Sequence, residues 1–328
     1  VTGPYAGVRY RQGAPHGHVE SYFLKANDPS GARALWLRAT IYAPDRDPSR
    51  AVAEAWAIAF DKRLGHVAVK TALPYEAARF SARELAIELA GSTYTEQRWQ
   101  GRVATGERHI AYDLAISGDK GPLVHFPFAW MYEASLPSSK IVALVSDARA
   151  DGQVVVNGET WNVGGWPMTI GHNWGRRHAP SYTWAHCNAW EGSEALMFEG
   201  FTARMQIGPV RTPPSTMLFV RERGEELAHR DYFGLGAIDG QTTLRRWIFQ
   251  STRGSPKLRG ELWAESDDFV GLYYPNPDGT MVYCLNTKLA QAELFIQGPR
   301  QKERIFRSRS AALEIATTDP NHGVKMYV

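Results

Sequence analysis

The sequence predicts an all-β protein built from two antiparallel barrel domains. Three observations carry this. Apolar and β-branched runs of four to ten residues recur at intervals of roughly 8–15 residues, as in sandwiches and barrels. The dipeptides Asp151-Gly152, Asn157-Gly158, Asp239-Gly240 and Asp278-Gly279 supply the positive φ angles of tight hairpins. Helical periodicity is scarce: the one fair stretch is 74–89, where Glu76, Arg79, Arg83 and Glu88 are spaced among alanines and leucines.

In chain order, the first expected strands are 35–42, 56–60, 66–72 and 110–117. The Pro-Ser-Ser loop at 137–139 and the first two hairpin signals then frame strands at 141–146 and 153–156. Beyond the Gly164-Gly165 loop, strands are expected at 182–190, 195–204, 216–221 and 245–251. The series closes with 258–264, 269–274, 281–288, 290–296 and 311–316. So many strands exceed one barrel. Arg176 to Ser181, where basic residues and Pro180 interrupt the pattern, marks the expected boundary, giving domains 1–178 and 179–328.

Composition narrows the function classes. Hydrophobic residues make up 44% of the 328 positions and charged residues 22%, which excludes a disordered chain. The 37 basic and 34 acidic residues are interspersed, so no nucleic-acid footprint is indicated. No apolar run approaches the roughly 18 residues of a membrane-spanning helix. Cys187 and Cys284 are too few and too distant for a disulfide framework or a paired metal knuckle; they are expected as isolated buried thiols, with a single bridge between them the alternative. No Asn-x-Ser/Thr acceptor is present, so a cytoplasmic or membrane-adjacent location is expected. Aromatic residues reach 12%, ample for an apolar pocket.

The densest chemistry lies between Gly171 and Arg204. Strand alternation puts His172 and Trp174 on one face. Along 182–190, one face carries Tyr182, Trp184, His186, Asn188 and Trp190, while the other carries only small residues. The large face suits a ligand cavity. The plain alternative is barrel core with satisfied polar groups. If residues 191–194 form a hairpin loop, Trp190 pairs with Ala195, His186 stands opposite Glu199 and Trp184 opposite Phe201. A His186–Glu199 pair in an aromatic box suits acid–base work, or is a structural ion pair. The three histidines 172, 178 and 186 lack tight metal-ligand spacing, so no metal site is expected. His109 and His125, isolated in the sequence, are expected to be structural.

The run Glu20-Ser21-Tyr22-Phe23-Leu24-Lys25-Ala26-Asn27 followed by Ala34-Leu35-Trp36-Leu37-Arg38 resembles the opening of the carotenoid 1,2-hydratase and AttH-like family. The motif Gly171-His172-Asn173-Trp174-Gly175 is similar to that family's signature. Asn286-Thr287-Lys288-Leu289-Ala290, the stretch 311–320 and His322-Gly323-Val324 fit its closing part. This resemblance implies two lipocalin-like β-barrels with a hydrophobic pocket within or between them. It also implies a hydrophobic small-molecule substrate and chemistry without a metal or organic cofactor; such a substrate leaves peripheral membrane access open. Relatives include hydratases of carotenoid and prenyl double bonds, tocopherol-cyclase-like enzymes and pericyclases. The family's functional His and Trp fall on His172 and Trp174. A later Tyr-x-Asp element has no counterpart; the nearest stretch reads Phe198-Glu199-Gly200-Phe201.

The expected activity is hydration or dehydration of a C=C bond in an isoprenoid-like or aromatic substrate. Glu199 or His186 donates the proton, His172 handles the water, and Trp174, Trp184 and Trp190 stabilise a carbocation. Tyr182, Asn188 and Phe201 complete the expected substrate pocket. The alternatives are a cyclase or pericyclase, in which Asn188 and His186 polarise a carbonyl, and a non-catalytic carrier.

Overall fold

Alternating burial along the chain builds two large sheets. The computed structural model describes residues 3–118, 121–134, 137–204, 206–207, 210–231 and 235–328. Among these, the strands of 18–175 form a 12-stranded sheet and those of 181–317 a 10-stranded one, apart from a two-stranded ribbon of Gln206–Ile207 and Val210–Arg211, all antiparallel. The last strand of the first sheet ends at Gly175, and the first of the second opens at Ser181. Both sheets curl. In the first, Val67–Pro74 returns against Arg98–Thr105, where Thr105 Oγ1 accepts from Lys70 N at 2.9 Å. No helix among the described residues is long and apolar enough to cross a membrane.

Several short strands, among them Arg98–Thr105 and Glu225–Asp231, escape the sequence pattern, and so do two longer ones, His18–Asn27 and Glu159–Gly175. The two longer strands are buried on both faces over most of their length, so neither alternates cleanly. His18–Asn27 also carries buried Glu20, Lys25 and Asn27, which disguise it as polar. The expected strands at 141–146 and 153–156 are one strand, Ser139–Val156, as are 281–288 and 290–296 within Met281–Gln297. Register shifts near 143–152 and 287–292 bend these long strands, which explains why each reads as two segments.

The expected helix at 74–89 is absent. A 3₁₀ turn, Tyr75–Ala77, leads into short strands Arg79–Phe80 and Ala86–Leu89. Buried Leu85, Ile87 and Leu89 repeat every second residue, a strand period that outweighs the alanine content. Cys187 and Cys284 are free and buried.

The sheets meet along a polar seam. Lys25 Nζ donates to Asn188 Oδ1 at 2.8 Å, and Asn188 Nδ2 donates to Asp147 Oδ1 at 2.9 Å. Asn27 Nδ2 donates to the Lys288 carbonyl at 2.5 Å and Ser310 Oγ to the Asp28 carbonyl at 2.6 Å. Each satisfies a buried polar group that would otherwise be costly to leave unpaired.

Candidate functional site

Beside this seam the sheets part to leave a cavity of about 520 Å³. Period-two alternation decides what faces it. From the first sheet, Val19, Ser21 and Phe23 come from one strand and Trp36 and Arg38 from the next. Trp174 follows from Glu159–Gly175. The second sheet supplies Tyr182, Trp184, Phe201 and Met217. The 126–131 segment covers one side, with Phe128 and Trp130 exposed at the rim. The volume suits a ligand of one to several rings, and the wall is largely aromatic.

A few polar groups converge on this chamber. Arg38 is buried, with its guanidinium carbon 4.5 Å from the Tyr274 ring centroid and 5.3 Å from that of Trp36. The His178 ring stacks on Tyr274 at 4.9 Å. Burial, reinforced by the charge of Arg38, pushes the His178 imidazole down to about 3, so it is an unprotonated base at neutral pH. Glu314 Oε1 accepts from Lys288 Nζ at 2.8 Å and from Asn286 Nδ2 at 3.1 Å. Burial raises the Tyr182 and Tyr274 phenols well above their ordinary value.

Two imidazole–carboxylate pairs stand behind the wall. His125 Nε2 lies 2.8 Å from Glu199 Oε1, which also accepts from Trp184 Nε1 at 3.0 Å. Burial works to raise Glu199, but the charge and hydrogen bond of His125 prevail and lower it. His172 Nε2 lies 2.9 Å from Glu20 Oε1, and His18 Nε2 lies 2.9 Å from Oε2. Glu20 also accepts from the backbone N–H groups of Arg9 and Tyr10. Against the opposing effect of burial, His172 and His18 hold Glu20 down to about 2. The Nδ1 atoms of His125 and His172 face the carbonyls of Ile141 and Tyr5, so each ring has acceptors on both sides.

The residues expected to form the site divide. Trp174, Trp184, Tyr182 and Phe201 line the cavity. His172, Glu199, His186, Asn188 and Trp190 do not. His172 lies one layer back, its ring 4.5 Å from that of Trp174. The strand register is as the hairpin arithmetic predicts: His186 opposes Glu199 and Trp184 opposes Phe201. The side chains nevertheless go elsewhere. His186 Nε2 meets the Ser146 carbonyl at 3.0 Å, and Glu199 takes its imidazole from His125. Cross-strand opposition fixes Cβ proximity, whereas the packed opposite sheet chooses the partner. Asn188 is a seam clasp. Trp190 donates to the Cys187 carbonyl and bridges to Ser193, not Ala195, so the hairpin tightens at its tip. The shared face of 182–190 is real, but it runs from cavity through seam into the second core.

Arg38, His178, Glu314 and Tyr274 are cavity residues that sequence reasoning missed. One signal was available for Arg38: it sits two residues after Trp36, at an inward strand position where a charge calls for a reason. His125 offers no local signal, because its partner is 74 residues away.

Comparison with known proteins agrees with this architecture. The tocopherol cyclase-like family model matches residues 19–317. An AttH protein from Nitrosomonas europaea superposes with a TM-score of 0.57 at 10% identity, covering 95% of this chain and 97% of its own. Kievitone hydratase from Nectria haematococca gives 0.52 at 10% identity, with 96% of each chain covered. These two structures are similar in fold. No curated protein matches the sequence.

Proposed function

The chain belongs to the tocopherol cyclase-like family, and on that premise we propose that it is a carbon–oxygen lyase that adds an O–H bond across a C=C bond of a hydrophobic substrate held between the sheets. In hydration the O–H is that of water, and dehydration is the reverse. The observation that carries this reading is the His178 imidazole, stacked on Tyr274 and lining an otherwise largely aromatic chamber.

His178 takes the proton of the attacking hydroxyl as the C–O bond forms. The π electrons move to the neighbouring carbon, which then receives that proton back from the imidazolium. Atoms and charge balance within one site. Such an addition requires a C=C bond activated by an adjacent electron-withdrawing group. Protonation of an isolated alkene would instead need a strong acid in the chamber. The buried phenols of Tyr182 and Tyr274 are poor acids, Glu314 is ion-paired with Lys288, and Glu199 and His186 do not reach the cavity. Trp36, Trp174 and Trp184 exclude water and hold the substrate's flat apolar body.

Ring closure by the substrate's own hydroxyl would use the same base, and the family's cyclase name favours it as the second reading. Incubation in heavy-oxygen water with a panel of prenylated and α,β-unsaturated aromatic compounds separates the outcomes. Hydration yields labelled product, cyclisation an unlabelled isomer, and a carrier returns every compound unchanged. The last result would end the enzymatic reading.

A further inference from the structure

Arg38 presents an unmatched charge inside this cavity. It is only 4% exposed, and its one hydrogen bond among the described residues runs from Nε to Ser21 Oγ at 2.5 Å. Its terminal nitrogens have no hydrogen-bond partner and no carboxylate within ion-pair reach among those residues. The other buried cations nearby differ. Lys288 is paired with Glu314. Lys140 donates to the carbonyls of Ala134 and Pro137. Tyr274, Trp36 and Trp56 surround the guanidinium at 4.5, 5.3 and 5.6 Å from carbon to ring centroid, fixing its plane while leaving its outer fork free. A buried guanidinium with two donors aimed into a chamber is a preformed receptor for a planar oxyanion.

We propose that Arg38 is an anion-binding residue and that the cavity takes a planar aromatic ligand carrying a carboxylate or phenolate oxygen, docked on the guanidinium fork. The ligand's ring lies among the aromatic walls, and its charged oxygen replaces the counter-ion that the protein does not supply. A pure hydrocarbon polyene leaves Arg38 uncompensated and is the wrong class. The inference rests on the cavity being the substrate site. In the hydration reading, the same contact would draw electron density from the C=C bond toward the oxygen. Of the other charged and titratable groups lining the cavity, His178, Tyr182 and Tyr274 are uncharged at neutral pH. Glu314 is balanced by Lys288, Arg177 by Asp278, and Lys140 is held on backbone carbonyls, so the chamber's net sign is positive and Arg38 carries it at the end beside Tyr274.

Two probes test it without any turnover. On the wild-type protein, 2-naphthoate should bind about ten- to hundredfold more tightly than 2-naphthamide. Bound 7-hydroxycoumarin, followed by absorbance against pH, should ionise about one pH unit or more below the free dye. Arg38→Met should abolish both differences, and Arg38→Lys should restore part of the ionisation shift. Ser21→Ala, which frees the guanidinium to swing, should weaken naphthoate binding more than naphthamide binding. Equal binding of naphthoate and naphthamide, an unshifted dye, or no binding of either probe would overturn the proposal. Since ligand charge is read and not product, these results stand apart from whether the heavy-oxygen experiment finds hydration.

Discussion

His125 Nε2 and Glu199 Oε1 stand 2.8 Å apart, joining the first sheet's 123–125 segment to the second sheet's Leu196–Arg204 strand. Both side chains are almost fully buried, at 0% and 2% exposure. The same carboxylate oxygen accepts from Trp184, whose indole is cavity wall. The pair thus fixes one face of the chamber from behind. Its energetic weight comes from what is lost when one member is removed, since the survivor remains a buried group without its partner.

His125→Ala should therefore destabilise the protein by about 3–5 kcal/mol. The double variant His125→Ala/Glu199→Ala should cost clearly less than the sum of the two singles. Urea unfolding of the four proteins provides the check, and strict additivity would show that the contact carries no coupling.

Gly171→Ala should obstruct the cavity. A Cβ there would lie 2.2 Å from the Phe23 ring tip, and Phe23 lines the chamber and meets Trp184 edge-to-face at 5.5 Å. The ring must swing away, at a cost of about 1–3 kcal/mol. Probe affinity should fall together with the melting temperature. Wild-type affinity in this variant would show that Phe23 does not shape the pocket.

His186 predicts acid lability. Burial first, then the charge of Lys25, pushes its imidazole down to about 3. The unfolded chain takes up this proton below about pH 6.5, while the folded protein resists until about pH 3. Stability is therefore lost as pH falls through that window, at up to about 1.4 kcal/mol per pH unit for one proton. His186→Gln should lessen the slope of unfolding free energy against pH by up to one proton between pH 6 and 4. An unchanged slope would place the titration elsewhere.

Much of the architecture is legible along the chain because strand period and turn chemistry are local: Asn157-Gly158 and Asp278-Gly279 do fall at turns, whereas Asp151-Gly152 and Asp239-Gly240 lie inside strands. The register of Trp184 and His186 follows from hairpin arithmetic for the same reason. The site is only half legible. Tyr182, Trp184, Trp174 and Phe201 declare themselves as a large aromatic set, and they reach the cavity. Partner choice is different, because it joins strands far apart in the chain: Glu20 meets His172 on the neighbouring strand of its own sheet across 152 positions, and Lys25 meets Asn188 of the other sheet across 163. No spacing rule encodes such contacts. Arg38 and His178 lie outside the aromatic run and gain meaning only when the chamber closes around them. The alanine-rich 74–89 segment misleads in the opposite direction, since its composition favours helix while its buried positions follow a strand period.

The decisive comparison is kcat for His178→Gln against His186→Gln, measured on whichever substrate the heavy-oxygen screen identifies. Both imidazoles are held unprotonated by burial, but only His178 lines the cavity. With His178 as the base, its replacement should lower kcat by about 10²–10⁴-fold, while His186→Gln stays within a few fold of wild type. A His178→Gln enzyme with wild-type kcat, or a collapse confined to His186→Gln, would contradict the assignment of the chemistry to this chamber.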